Sequence, residues 1–145
     1  MASTIHGFRY GNPAQACDLA QMSALCRQLA TVVSISGALD DTNLARATDY
    51  AARYVLSEKP FVLDLSDVEE FSDSAIGMLY AIDDASYAEG VEWALVASPA
   101  VLDVLRHYGD PADFHTVDSV PDALHHFADA TAARRRLLPI LSKIA

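Results

Sequence analysis

The sequence predicts an α/β domain organised on a mainly parallel sheet, and three observations lead there. Short apolar runs alternate with stretches of helical periodicity along most of the chain. Phe61 to Leu65 is an apolar run of the kind that forms a strand buried on both faces. No repeat, low-complexity stretch or linker interrupts the series, so one domain accounts for the chain.

Residues 5–10, I-H-G-F-R-Y, are β-compatible and end at the turn signal Gly11-Asn12-Pro13. Pro13 suits the first turn of a helix. Ala14 to Gln28 is rich in helix formers, with Leu19, Met22, Leu25, Cys26 and Leu29 at helical spacing, so a helix is expected there. Ala30 to Leu39 alternates Val33, Ile35 and Gly37 with Ser34, Ser36 and Ala38, a strand with one partly polar face. Asp40-Asp41-Thr42 marks a loop and cap. Asn43 to Leu56 follows as an amphipathic helix that Ser57-Glu58-Lys59-Pro60 breaks.

After the Phe61 strand, Ser66-Asp67 supplies turn chemistry, and Ser72-Asp73-Ser74 offers three capping residues before Ala75-Ile76 opens a helix. At about 100° per residue, Ala75, Met78, Leu79, Ile82 and Ser86 share the face expected to pack on the sheet. Ser74, Gly77, Ala81, Asp84 and Ala88 share the opposite one. That stripe is almost free of bulk, so another molecule's backbone can approach it closely, with a hydroxyl at its head. A helix start also suits a phosphate. On local chemistry alone the same residues read more simply as a cap and a packed helix.

Glu89-Gly90 signals the helix end, and Val91 to Ala97 is the next strand. Ser98-Pro99 caps a helix from Ala100 to Tyr108, closed by Gly109-Asp110-Pro111. Phe114 to Val117 is a short strand. A last helix is expected from Val120 to Leu138, where Pro139 interrupts it.

Composition narrows the function classes. The chain has 145 residues, 52% hydrophobic and 21% charged, an ordinary globular balance. No apolar run approaches the ~20 residues of a membrane span, and the first residues lack a secretory signal pattern, so cytoplasmic residence is expected. The net charge is −10, which repels phosphate backbones and argues against nucleic-acid binding. No acid follows Asp129, whereas Arg134, Arg135, Arg136 and Lys143 do, so a basic tail of residues 127–145 closes an acidic body. Cys17 and Cys26, nine apart on a helix, would point to opposite sides as free thiols.

Catalytic and metal signatures are missing. His125-His126 are adjacent, not spaced i, i+4, and His107 and His115 lie at element ends. There is no nucleophile elbow, dinucleotide fingerprint or phosphate loop. No catalytic residue, metal or cofactor is expected.

Four stretches together resemble one family. S-I-S-G-A-L-D of 34–40 is similar to a strand–loop signature commonly written G-E-L-D. L-D-L-S-D-V-E-E-F-S-D-S-A-I-G-M-L of 63–79 aligns without a gap on L-D-L-S-G-V-x-F-I-D-S-S-G-L-G-V-L. S-P-A-V-L-D-V-L-R-H-Y-G of 98–109 resembles N-P-A-V-x-x-x-L-x-x-x-G, and V-D-S-V-P-D-A-L of 117–124 resembles a closing S-x-x-x-A-L. The family is the STAS domain, typified by bacterial anti-sigma factor antagonists. The resemblance covers about residues 29–126, leaving 1–28 as an extension with a helix.

The resemblance implies a mixed, mainly parallel sheet of four to five strands with helices packed against it. It implies binding to an anti-sigma factor that is also a serine kinase, phosphorylation of a serine at the start of the central helix, and reset by a serine phosphatase. The phosphoacceptor falls on Ser74. Asp40 matches the loop aspartate, and Asp40, Ser72, Asp73, Ser74, Gly77 and Ala81 form the expected partner surface of a monomer or homodimer. Two departures stand out. The usual D-S-S-G becomes Ser72-Asp73-Ser74-Ala75, and a one-residue shift would put Ala75 at the acceptor position. The helix expected over 14–28 also replaces the family's usual N-terminal hairpin. Two other functions stay open: a STAS scaffold or small-ligand sensor without a phosphoswitch, and a small enzyme using Asp40, Asp67 and Asp73.

Overall fold

The computed structural model describes residues 15–17, 19–26 and 29–144. Its strands are β1 (Gln15–Cys17), β2 (Ala20–Cys26), β3 (Thr31–Leu39), β4 (Phe61–Phe71), β5 (Trp93–Ala97) and β6 (Thr116–Val117). The helices are α1 (Leu44–Arg53), α2 (Ile76–Glu89), α3 (Pro99–Tyr108) and α4 (Val120–Ile144). The strands lie side by side in chain order in one six-stranded sheet. The pairs β1–β2 and β2–β3 are antiparallel, and β3 through β6 run parallel. This is the mixed, mainly parallel α/β architecture expected.

Period-two alternation divides the core between the two faces of the sheet. Val33, Ile35, Phe61, Leu63 and Leu65 point to one face, where Ala47, Tyr50 and Ala51 of α1, Met78, Leu79 and Ile82 of α2, and Val101 and Leu105 of α3 cover them. Val32, Val62, Ala94 and Val96 point to the other, where Ala123 and Phe127 of α4 close a smaller core. A strand covered on both sides is apolar where it is covered, which is why Phe61, Val62, Leu63 and Leu65 are apolar, with half-buried Asp64 the exception. On α2 the buried residues are Met78, Leu79, Ile82 and Ser86, with Ala75 just before them, the face that helical spacing predicts. Burial of Met78, Leu79 and Ile82 at about 2 kcal/mol each outweighs the ~1 kcal/mol that Gly77 costs as a helical glycine. Ser98 caps α3 as expected, its Oγ accepting from the Val101 N–H at 3.3 Å.

The helix expected over Ala14 to Gln28 is instead the hairpin β1–β2. Along Ala20–Cys26, Ala20, Met22 and Ala24 are buried while Gln21 and Ser23 are not, a period of two. Leu19, assigned by spacing to the apolar helix face, is 67% exposed at the hairpin turn. The decisive interactions are non-local, because β2 pairs with β3 along its whole length, from Ala20↔Gly37 to Cys26↔Thr31. Gly37 makes that pairing possible. Its φ is +93°, and a Cβ there would lie 2.3 Å from the Leu19 carbonyl oxygen. Cys17 pairs with Ala20, so Cys26 lies six residues further along the ladder, about 20 Å away. The two residues are thus kept apart along the ladder by strand length rather than by helical rotation. Cys26 is free and exposed. The strand expected within residues 5–10 lies outside the described residues.

Two further expectations change. Ser66-Asp67 does not end β4, which continues to Phe71. The turn chemistry goes into a bulge: Ser34 pairs with Asp64 and Ser36 with Asp67, so β4 carries one extra residue. Asp64 Oδ1 holds it, accepting from the Ser66 N–H at 3.1 Å and Oγ at 2.6 Å. Nor does Pro139 stop the last helix, since α4 runs to Ile144. A proline removes one helical hydrogen bond and need not end a helix that other turns sustain. No helix among the described residues is long and apolar enough to cross a membrane.

Candidate functional site

The site grows from one strand pair. Leu39 and Phe71, the last residues of β3 and β4, are register partners. The segments that follow them, Asp40–Asn43 and Ser72–Ala75, therefore leave the sheet side by side. The Ser72 N–H donates to the Leu39 carbonyl at 3.0 Å and ties the two exits together.

The first segment is folded by Asp40 and Asn43. Asp40 Oδ1 accepts from the Thr42 N–H at 2.9 Å and the Thr42 hydroxyl at 2.5 Å. Buried Asn43 takes the Asp40 N–H on its Oδ1 at 3.0 Å and donates Nδ2 to the Ala38 carbonyl at 2.8 Å. The Thr42 hydroxyl, then its N–H, hold the Asp40 carboxyl below the usual range. Asp40, expected at the partner surface, thus spends its carboxylate on its own loop. Asp41 is the acid that reaches across.

In the second segment Ser72 is extended, and Asp73–Ala75 forms a 3-10 turn leading into α2. Ser74 is exposed, and its hydroxyl donates to Asp41 Oδ1. Ser72 Oγ lies 3.0 Å from Ser74 Oγ. Neither serine makes a side-chain cap, so Ser74 Oγ is not spent on the helix start. Ala75 is fully buried. Asp73 is exposed, and its carboxylate near Tyr108 at the end of α3 raises that phenol above its ordinary pKa.

Along α2, Gly77 is exposed and a Cβ there would meet nothing within 4 Å. Ala81 is half-buried, and Asp84 and Ala88 are exposed, so the bare stripe faces outward. Beside it, Tyr80 donates to Asp113 at 3.0 Å and packs edge-on against Phe114, with centroids 5.0 Å apart. The structure therefore groups Ser72, Asp73, Ser74, Gly77 and Ala81, with Asp40 one residue off the contact. Sequence reasoning missed Asp41 and Tyr108. The doubled acid of L-D-D-T was the available signal for Asp41. None marked Tyr108.

The acids considered for catalysis do not converge. Asp67 lies four residues before Phe71 on β4, about 13 Å from the Ser72–Asp73 exit, and Asp40 and Asp73 are already engaged. Among the described residues, no group of three or more His, Cys, Asp or Glu side chains could hold a metal ion. His125 pairs instead with Asp129 at 3.3 Å.

A sequence model described as the STAS domain matches residues 21–123. The chain belongs to the STAS domain family. The match begins inside β2, so the hairpin strand is part of what the family model recognises. The chain is 42% identical over 142 residues to "Osmosensory protein A" of Mycobacterium tuberculosis, covering 94% of this chain and 90% of that one. Its fold is similar to an anti-sigma factor antagonist from Mycobacterium paratuberculosis, with TM-score 0.68 at 23% identity over 79% of this chain and 98% of that one. It is also similar to the anti-sigma factor antagonist SpoIIAA in its unphosphorylated form, with TM-score 0.61 at 11% identity over 74% and 96%. At these identities the two solved structures establish a shared fold.

Proposed function

We propose that this STAS protein is an anti-sigma factor antagonist: a cytoplasmic binding module, not a catalyst, that docks an anti-sigma factor and is switched by phosphorylation of Ser74. The observation that carries the reading is the exposed Ser74 hydroxyl at the head of a stripe with open space over Gly77. The neighbouring geometry favours Ser74 over a shifted register, because Ala75 is buried and carries no hydroxyl. The fold shared with anti-sigma factor antagonists supports the partner class.

The switch is electrostatic. Unmodified, the Ser74 hydroxyl donates a hydrogen bond to Asp41, and the ridge of Gly77 and Ala81 can be covered at modest cost. The anti-sigma factor, acting as a serine kinase, would move the γ-phosphoryl of ATP to Ser74 Oγ, with ADP leaving and the hydroxyl proton released to solvent through the kinase. The product carries about −1.5 to −2 charge at pH 7, placed between Asp41 and Asp73. A partner would then have to desolvate a phosphate among like charges. About 3 kcal/mol of added cost weakens binding more than a hundredfold. A serine phosphatase would restore the docking form.

Incubation with the serine kinases of the source cell and ATP, followed by phosphate mapping by mass spectrometry, tests this. The reading expects label on Ser74 that is lost in Ser74→Ala. Label confined to other residues would contradict it.

A further inference from the structure

At the far end of α2 from Ser74, the helix, the start of β5, the approach to β6 and α4 line an open cavity of about 430 Å³. Small-molecule sites run from about 300 to 1,000 Å³. The 14 residues of α2 separate the two ends by about 21 Å. The cavity is therefore independent of the phosphorylation site.

One wall holds an unexplained group. Ser86 lines the cavity, is 1% exposed, and its Oγ has no hydrogen-bond partner. A buried hydroxyl without a partner is destabilising, and alanine would fill the same helix face without that penalty. The other walls have a consistent character. Trp93 and Phe127 are buried aromatics, and Tyr87, 89% exposed, stands at the rim. Two carboxylates, Asp83 and Glu92, also line the space. Asp83 Oδ1 accepts from the Trp93 indole N–H at 2.9 Å and fixes that ring. The imidazoles of His115 and His126 lie tilted by 35° with centroids 4.4 Å apart. No lysine or arginine lines the cavity among the described residues, although Arg134 approaches Glu92 at 3.9 Å.

Aromatic rings, carboxylates and an unpaired hydroxyl, in a lining without lysine or arginine among the described residues, are the chemistry that recognises an organic cation. We infer that this cavity binds a small organic ammonium ion, with Trp93 and Phe127 against its carbon frame, Asp83 and Glu92 countering its charge, and Ser86 Oγ hydrogen-bonding a polar substituent.

Trp93 is the only tryptophan in the chain, so its fluorescence reports on the site directly. The test titrates the full chain with choline chloride and with benzyltrimethylammonium chloride, against sodium chloride at equal ionic strength. The inference expects saturable emission changes with the organic cations only, at least tenfold weaker affinity in Asp83→Asn/Glu92→Gln, and severalfold weaker choline binding in Ser86→Ala. Asparagine at 83 keeps an acceptor for the indole, and Ser86→Ala should melt no lower than the parent, so lost binding would not reflect unfolding. No saturable response, a response matched by sodium chloride, or affinity unchanged in the double variant would overturn the inference. Choline affinity unchanged in Ser86→Ala would overturn the role given to that hydroxyl.

Discussion

Ser74 and Asp41, separated by 33 residues, are joined by a hydrogen bond that closes the gap between the α2 entry and the β3–α1 loop. A phosphate on Ser74 would replace that bond with repulsion. Two unit charges about 4 Å apart in water-like surroundings interact by about 1 kcal/mol. Asp41→Asn keeps an acceptor for the hydroxyl and removes the charge. Phosphorylation should therefore lower the Tm of the parent by about 2–4 °C more than that of Asp41→Asn, which thermal unfolding of both forms would show. Equal losses would mean Asp41 does not sense the phosphate.

Gly77 separates folding from docking. With open space around it and no positive φ, Gly77→Ala should stabilise the fold by about 0.5–1 kcal/mol, visible in denaturant midpoints. Gly77→Leu should also keep the parent's Tm, yet weaken anti-sigma factor binding at least tenfold, because its side chain projects into the surface a partner must cover. Unchanged binding by Gly77→Leu would remove this stripe from the interface.

Gly37 has the opposite character. A Cβ there meets the Leu19 carbonyl, and its φ of +93° is strained for any L side chain. Gly37→Ala should cost about 1–3 kcal/mol and loosen the β2–β3 pairing, seen as faster amide exchange over residues 20–26. A substitution without effect would contradict the hairpin.

These glycines show what the sequence could reveal. The α2 face was legible because Met78, Leu79, Ile82 and Ser86 obey a helical period that their burial repeats. The hairpin was not. Leu19, Met22, Leu25 and Cys26 satisfy helical spacing while Ala20, Met22 and Ala24 satisfy a period of two, and alanines favour the helix reading. Pairing with β3 decided between them, and pairing is not a local property. Ser66-Asp67 carried genuine turn chemistry, used in a bulge. At the site, Ser74 was legible as a capping-type residue at a helix start. Its contact with Asp41 and the Asp73–Tyr108 contact cross more than thirty residues, which no spacing rule reaches.

Stability should also fall at alkaline pH in a defined way. Burial, then neighbouring Tyr54, push the Tyr50 phenol up to about 12. A raised acid pKa favours the protonated form in the fold. That contribution is fully present below the unfolded value near 10 and is lost as pH rises from there through about 12. Tyr50→Phe should flatten the decline between pH 10 and 12. Denaturant midpoints that fall equally in parent and variant would assign the effect elsewhere, for instance to Tyr80 or Tyr108, whose phenols are also raised.

The most direct measurement is calorimetric titration of the cognate anti-sigma factor with the unmodified chain and with the chain stoichiometrically phosphorylated on Ser74. The account predicts binding by the unmodified form and a loss of at least a hundredfold on phosphorylation. Equal affinity of the two forms would contradict it.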